Sequence, residues 1–203
     1  MKLYYSKNLN PRVAVAVAKH LNSPVEYIYS MPRHPAHEEE FRKINPNTLV
    51  PVLVEEHQTL WETDAIACRL SAIAKSDFWV TGDKQPEMIM WISWANHHLT
   101  RPGGTLYFER LIRPTFSNVP VPPQEMDDAT NEFRRYAKIL DDLLEGRKWL
   151  IDNRLTYADF RTASIFPFAD AAGLPMDGLN NIKRWHDQLM EIDAWRDPFA
   201  NLS

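Results

Sequence analysis

The chain has 203 residues, enough for one large domain or two small ones, and 44% of them are hydrophobic, enough to build a sizeable core. Its 23 basic and 27 acidic side chains leave a formal net charge of -4, which excludes the basic footprint that a nucleic-acid backbone demands. A single cysteine, Cys68, excludes an internal disulfide framework and fits a reducing compartment. The polar start Met1-Lys2-Leu3-Tyr4-Tyr5 does not read as a signal peptide, and no run approaches the roughly 18 apolar residues of a membrane span, so the expected location is cytoplasmic.

Residues 1–78 mix strands and helices. Leu3-Tyr4-Tyr5 reads as a short aromatic strand, and Pro11 opens a helix where its missing N–H is not needed. The apolar run Val13 to Ala18 predicts a buried helix, with Asn10 as its cap. Val25 to Tyr29 alternates at period two and predicts the next strand. A short helix follows over Ala36 to Lys43, its Glu38-Glu39-Glu40 run a solvated face. Val50 to Val54 and Thr59 to Trp61 predict a hairpin around Glu55 to Gln58, and Thr63 to Ala74 a further helix. The order βαβ, helix, ββα implies a parallel crossover closed by antiparallel strands, an α/β unit with a mixed sheet.

Residues 79–84 read as a linker, and residues 85–203 as an all-helical domain. Helices are expected over Glu87 to His98, continuing beyond a break at Pro102-Gly103-Gly104, then over Gln124 to Leu144, Tyr157 to Ala172 and Asn180 to Ile192. Pro114 to Pro123 reads as a proline-rich loop.

Two blocks carry a resemblance. Asn45-Pro46-Asn47-Thr48-Leu49-Val50-Pro51-Val52-Leu53 is followed by Leu60-Trp61-Glu62-Thr63-Asp64-Ala65-Ile66. This resembles the glutathione S-transferase pattern, in which a Val-Pro-Val/Ile-Leu strand precedes a Glu-Ser/Thr pair opening a helix. Leu155-Thr156-Tyr157-Ala158-Asp159 resembles the family's Ser/Thr-x-x-Asp capping box, a folding device. The resemblance implies a thioredoxin-like N-terminal domain followed by an all-helical one.

It also implies a site for glutathione as co-substrate. Pro51's counterpart is cis in the family, offering the N–H and C=O of the preceding residue, here Val50, to the cysteinyl part of the peptide. Thr63, at a helix N-terminus, is expected to bind the γ-glutamyl carboxylate through hydroxyl and N–H, with Glu62 approaching the amine. Leu49 stands where many relatives carry a polar contact to the glycine carboxylate, and His37, with Arg33 and His34, stands ready to compensate.

The thiolate-stabilising donor is expected just after the first strand, which makes Ser6 and Asn8 the candidate catalytic residues, with Tyr5 a further donor. No cysteine occupies that loop, so a cysteine-dependent exchange is disfavoured, and Cys68 reads as a small buried hydrophobe. Trp94, His98, Arg101 and Tyr107 are expected to line an apolar electrophile pocket between the domains. No zinc-ligand spacing occurs, and the mechanism implied needs no metal. The family further implies detoxification chemistry and a homodimer. A non-catalytic adaptor on the same fold, or a glutathione-dependent reductase or isomerase, are the other outcomes that the resemblance admits.

Overall fold

Alternation starts the fold: along strand β1 (Lys2–Tyr5), Leu3 and Tyr5 are buried while Lys2 faces solvent. In the computed structural model, which describes residues 1–202, β1 pairs in parallel with β2 (Glu26–Tyr29) and antiparallel with β3 (Val52–Val54). β3 in turn pairs antiparallel with β4 (Thr59–Trp61), so the mixed sheet runs β2-β1-β3-β4. Helix α1 (Leu9–His20) supplies the parallel crossover, and its run Val13 to Ala18 is wholly excluded from solvent. Helix α2 is shorter than its sequence implies, Glu38–Arg42, and α3 spans Thr63–Ile73. Arg69 of α3 grips Glu55 of the hairpin turn through two hydrogen bonds of 2.9 and 3.0 Å.

The chain forms two compact units: Met1–Val80 joined by the residues from Glu191 onward, and Thr81–Met190. The expected helical domain ran to the C-terminus, but the tail returns to the first unit. The short helix α9 (Asp193–Arg196) carries Trp195, fully buried there beside Arg12 of α1.

The second unit is helical. Helix α4 (Gln85–Trp94) passes through a wide π-turn at Ala95–Leu99 into α5 (Thr100–Tyr107), and a second wide turn covers Phe108–Ile112. The break expected at Pro102-Gly103-Gly104 does not occur. Pro102 has no N–H for the regular ladder, and the preceding turn takes a wider register, with Thr100 N–H donating to the Ala95 carbonyl. Gly103 is there for space, because a Cβ would meet Ile165 Cγ1 at 2.8 Å and the Phe133 ring at 3.2 Å.

Helix α6 spans Pro123–Leu143 and α8 spans Asn180–Met190. Helix α7 ends at Tyr157–Thr162 instead of running to Ala172, since Pro167 removes a donor and tighter turns such as Phe166 N–H to Ala163 O (3.0 Å) take over. The Asp159 carboxylate in its first turn is fully buried and accepts from Leu150 N–H, Thr156 N–H, Thr156 Oγ1 and the Trp185 indole, at 2.9 to 3.2 Å. Among the described residues, no helix is long and apolar enough to cross a membrane.

Candidate functional site

Sheet register assembles the site within the first unit. Tyr4 of β1 lies opposite Val52 of β3, so Ser6, two residues on, and Val50, two residues back, leave the sheet at the same end. Trp61, closing β4, also lies opposite Val52, so Glu62 and Thr63 depart from that end as well. The Thr63 hydroxyl donates to the Asn10 carbonyl at 3.2 Å and ties the first turn of α3 to that of α1. The structure therefore brings together Ser6, Asn8, Val50, Pro51, Glu62 and Thr63, which the sequence places far apart.

Ser6 is buried, 8% exposed, while Asn8 is open to solvent. The Asn8 amide donates to Ser6 Oγ at 3.1 Å. Asn8, not Asn10, stands at the cap position of α1: its carbonyl accepts from Arg12 N–H at 2.9 Å, and its side chain makes no capping bond. Asn10 is already inside the helix because the first turn begins two residues before Pro11. Tyr5 belongs to the core, stacked on Phe199 and edge-on to Tyr27 and Tyr29. Burial, with Tyr29 adding to it, raises the Tyr5 phenol above its ordinary pKa and makes it a poor match for stabilising a thiolate.

The segment before β3 is shaped by Asn45, a residue that its Asn-Pro turn signal marks in the sequence only as local punctuation. Asn45 is buried, accepts from Asn47 N–H at 3.0 Å and donates to the Leu49 carbonyl at 2.8 Å. Thr48, buried and at φ 50°, completes the bend. Leu49 is exposed, Val50 half-buried, and the Val50–Pro51 bond is cis.

Glu62 has φ 72° and ψ 127°, a region that side-chain-bearing residues rarely occupy, and it is exposed. Its carbonyl accepts the Ile66 N–H at 3.1 Å, so the N–H groups of Thr63, Asp64 and Ala65 have no intrahelical carbonyl. Because the single Thr63 hydroxyl hydrogen points at Asn10, the group left to donate from Thr63 is its backbone N–H. The first turn of α3 thus offers backbone donors to an anion, while the exposed Glu62 offers a carboxylate to a cation.

His37 precedes α2 and is exposed; its ring lies 5.5 Å from that of His34. Both border a cavity of about 390 Å³ lined also by Tyr29, Ser30, Met31 and Phe41. Arg33 is exposed beside them. Cys68 is half-buried on α3, and burial raises its thiol pKa, which suits an inert side chain better than a nucleophile.

In the second unit the four residues expected to line one pocket are spread over different environments. Trp94 and His98 are half-buried around Tyr136, with the His98 and Tyr136 rings 4.9 Å apart. Arg101 is held by both oxygens of Glu132 at 2.9 and 3.1 Å, and Tyr107 is buried against Phe168. An aromatic pair that sequence reasoning missed, Phe108 and Phe116, is 42% and 67% exposed with rings 6.1 Å apart. Its signal was present: one aromatic shortly before the proline-rich loop and one inside it, outside any helical apolar stripe.

Comparison with known proteins agrees with this geometry. Residues 11–73 match the model of the glutathione S-transferase N-terminal domain, and residues 106–193 that of the C-terminal domain. Glutathione S-transferase GstB of Escherichia coli K12 is 28% identical over 169 residues, 79% of this chain and 77% of that protein. Glutathione transferase F2 of Populus trichocarpa superposes with a TM-score of 0.88 at 16% identity, covering 98% of this chain and 97% of the other. A glutathione transferase family member from Pseudomonas fluorescens Pf-5, solved with two glutathione molecules bound, gives a TM-score of 0.80 at 20% identity, over 97% and 91% of the two chains. With both halves of the pattern matched and the sheet end assembled as described, the chain belongs to the glutathione S-transferase family.

Proposed function

We propose that the protein is a glutathione transferase that binds reduced glutathione at this sheet end and holds its sulfur as a thiolate for attack on a small hydrophobic electrophile. The observation that carries this reading is Glu62, a non-glycine residue kept at φ 72° at the mouth of a helix whose first N–H groups are unused by the helix. Strain of this kind persists where the surroundings require that conformation, and here it presents a carboxylate beside an anion-binding helix start.

The pieces match glutathione by chemistry. The γ-glutamyl end carries an ammonium for Glu62 and a carboxylate for the Thr63 N–H. The extended peptide runs along the Val50 main chain. Ser6 is the donor to sulfur, and a hydrogen bond to the charged form lowers the thiol pKa. His37 and His34 suit the glycine carboxylate, since Leu49 brings no charge. Within the second unit, the exposed Phe108–Phe116 pair is an apolar surface of the kind that a flat molecule stacks on. The protein pairs as a homodimer in this reading, which sedimentation checks.

Titration calorimetry with reduced glutathione tests the assignment. Wild type binds saturably, and Glu62→Gln weakens binding about tenfold, the worth of one charged hydrogen bond. Ser6→Ala retains binding but loses about a hundredfold in kcat with a model electrophile, as removal of an anion-stabilising donor does. Absence of wild-type binding at millimolar glutathione sinks the proposal.

A further inference from the structure

Asn8 occupies the cap position of α1 without capping it. Asparagine is favoured there because its side-chain oxygen accepts a free N–H of the first turn. Here the cap bond is absent, and the amide turns back to donate to Ser6 Oγ at 3.1 Å. A hydroxyl has one hydrogen and two lone pairs. With a lone pair occupied by the Asn8 N–H, the Ser6 hydrogen is directed away from Asn8 and the O–H is polarised, which strengthens it as a donor. Ser6 is buried and Asn8 exposed, so the two form a short chain from solvent to an interior hydroxyl.

We infer that Asn8 is a positioning residue that acts on the glutathione sulfur through Ser6 and not by touching it. The inference rests on the glutathione transferase reading above. In the ionisation it governs, the thiol proton leaves to water, the sulfur keeps the electron pair, and the Ser6 O–H donates to the resulting thiolate. Asn8 sets the direction and strength of that donor. Both residues stand in the loop where a family comparison alone counts two independent candidates; the 3.1 Å bond makes them one device.

A double-mutant cycle decides between one device and two. The ultraviolet thiolate band of bound glutathione is titrated against pH in wild type, Ser6→Ala, Asn8→Ala and the double variant. Ser6→Ala raises the apparent thiol pKa by about one unit or more, the worth of a hydrogen bond to a charged group. Asn8→Ala raises it by about half a unit, the polarising share. In the Ser6→Ala background the second substitution changes nothing. Affinity for S-methylglutathione, which has no thiol to ionise, stays the same in all four proteins.

Additive shifts, or a larger effect of Asn8→Ala than of Ser6→Ala, place the amide directly on sulfur and overturn the inference. Parallel losses of S-methylglutathione affinity assign Asn8 a structural role and overturn it too. A wild type that binds no glutathione fails at the earlier reading, and is told apart by the absence of any band to titrate.

Discussion

Glu62 holds a backbone conformation that costs about 1–3 kcal/mol for a residue with a side chain, at φ 72° and ψ 127°. Glycine adopts it without that penalty but loses more entropy on folding, about 0.5–1 kcal/mol. Glu62→Gly is therefore expected to raise Tm by about 2–4 °C while removing the carboxylate proposed to hold the γ-glutamyl amine. Thermal melts beside calorimetry check both halves; unchanged glutathione affinity refutes the role of Glu62. Asp159 makes a different kind of residue-scale statement. Burial pushes its carboxyl from 3.8 up to about 6, against the pull of the donors around it. The folded state therefore binds more protons than the unfolded state across that window. Its contribution to stability is present below pH 3.8 and is lost as pH rises through about 6, to the extent of about 3 kcal/mol. Asp159→Asn is expected to flatten this descending slope in urea titrations across the window, while lowering stability throughout because amide hydrogens face the Leu150, Thr156 and Trp185 donors. Glu55 has the opposite sign. Its hydrogen bonds to Arg69 hold it below its usual 4.5, so its contribution is present above that value and lost on acidification.

At the scale of elements, what was legible in the sequence is what local chemistry decides. The β1 alternation, the Val13–Ala18 helix, the hairpin around Glu55 to Gln58, and the Glu62-Thr63 helix start each follow from a few adjacent residues. Pro102-Gly103-Gly104 read as a break because glycine and proline are poor helix residues. Its continuity depends on a neighbour that no local window contains: Phe133 of α6 and Ile165 approach the backbone where Gly103 has no side chain. The same limit applies to Trp94, His98, Arg101 and Tyr107, which read as one pocket from their place along one stretch of helix and their aromatic character: no local window contains the Glu132, Tyr136 and Phe168 that they pack against. Gly103→Ala tests the point. Propensity alone favours alanine by about 1 kcal/mol. A Cβ at 2.8 Å from Ile165 forces repacking that costs about 1–3 kcal/mol, so the variant is expected to be less stable in denaturant titration. A gain in stability removes close packing as the reason for the glycine.

Across the whole molecule, the chain starts and ends in the same unit, and the end completes what the start leaves open. Arg12 is buried on α1, its guanidinium 4.7 Å from the centre of the Trp195 ring and donating to the Trp195 carbonyl. Burial lowers its pKa to about 10, with Asp197 of the tail opposing the fall. Lys19 donates to the Ala200 carbonyl at 2.6 Å, and Phe199 stacks on Tyr5, the residue just before Ser6. A cation beneath an indole and next to a carboxylate is tolerated in an interior; the same cation with its cover removed must be resolvated or left unpaired. Residues 1–80 therefore lack part of their own core until residue 199 has been made. Trp195→Ala is expected to cost about 3–5 kcal/mol, as loss of a fully buried indole does. Ending the chain after Met190 is expected to cost at least as much and also to weaken glutathione binding, because the elements it uncovers, α1 and the end of β1, are those that carry Asn8 and Ser6. Arg12→Met separates the two causes. In the full chain it exchanges a buried cation for an apolar side chain but also removes the donor to the Trp195 carbonyl and the charge facing Asp197, so it is expected to cost about 1–3 kcal/mol. In the shortened chain it restores part of the lost stability only if the uncovered cation is the source of the loss. Denaturant titrations of the four proteins, read beside their glutathione isotherms, decide whether the tail is a wall of the glutathione-binding unit; a shortened chain that melts and binds like wild type makes it an appendage.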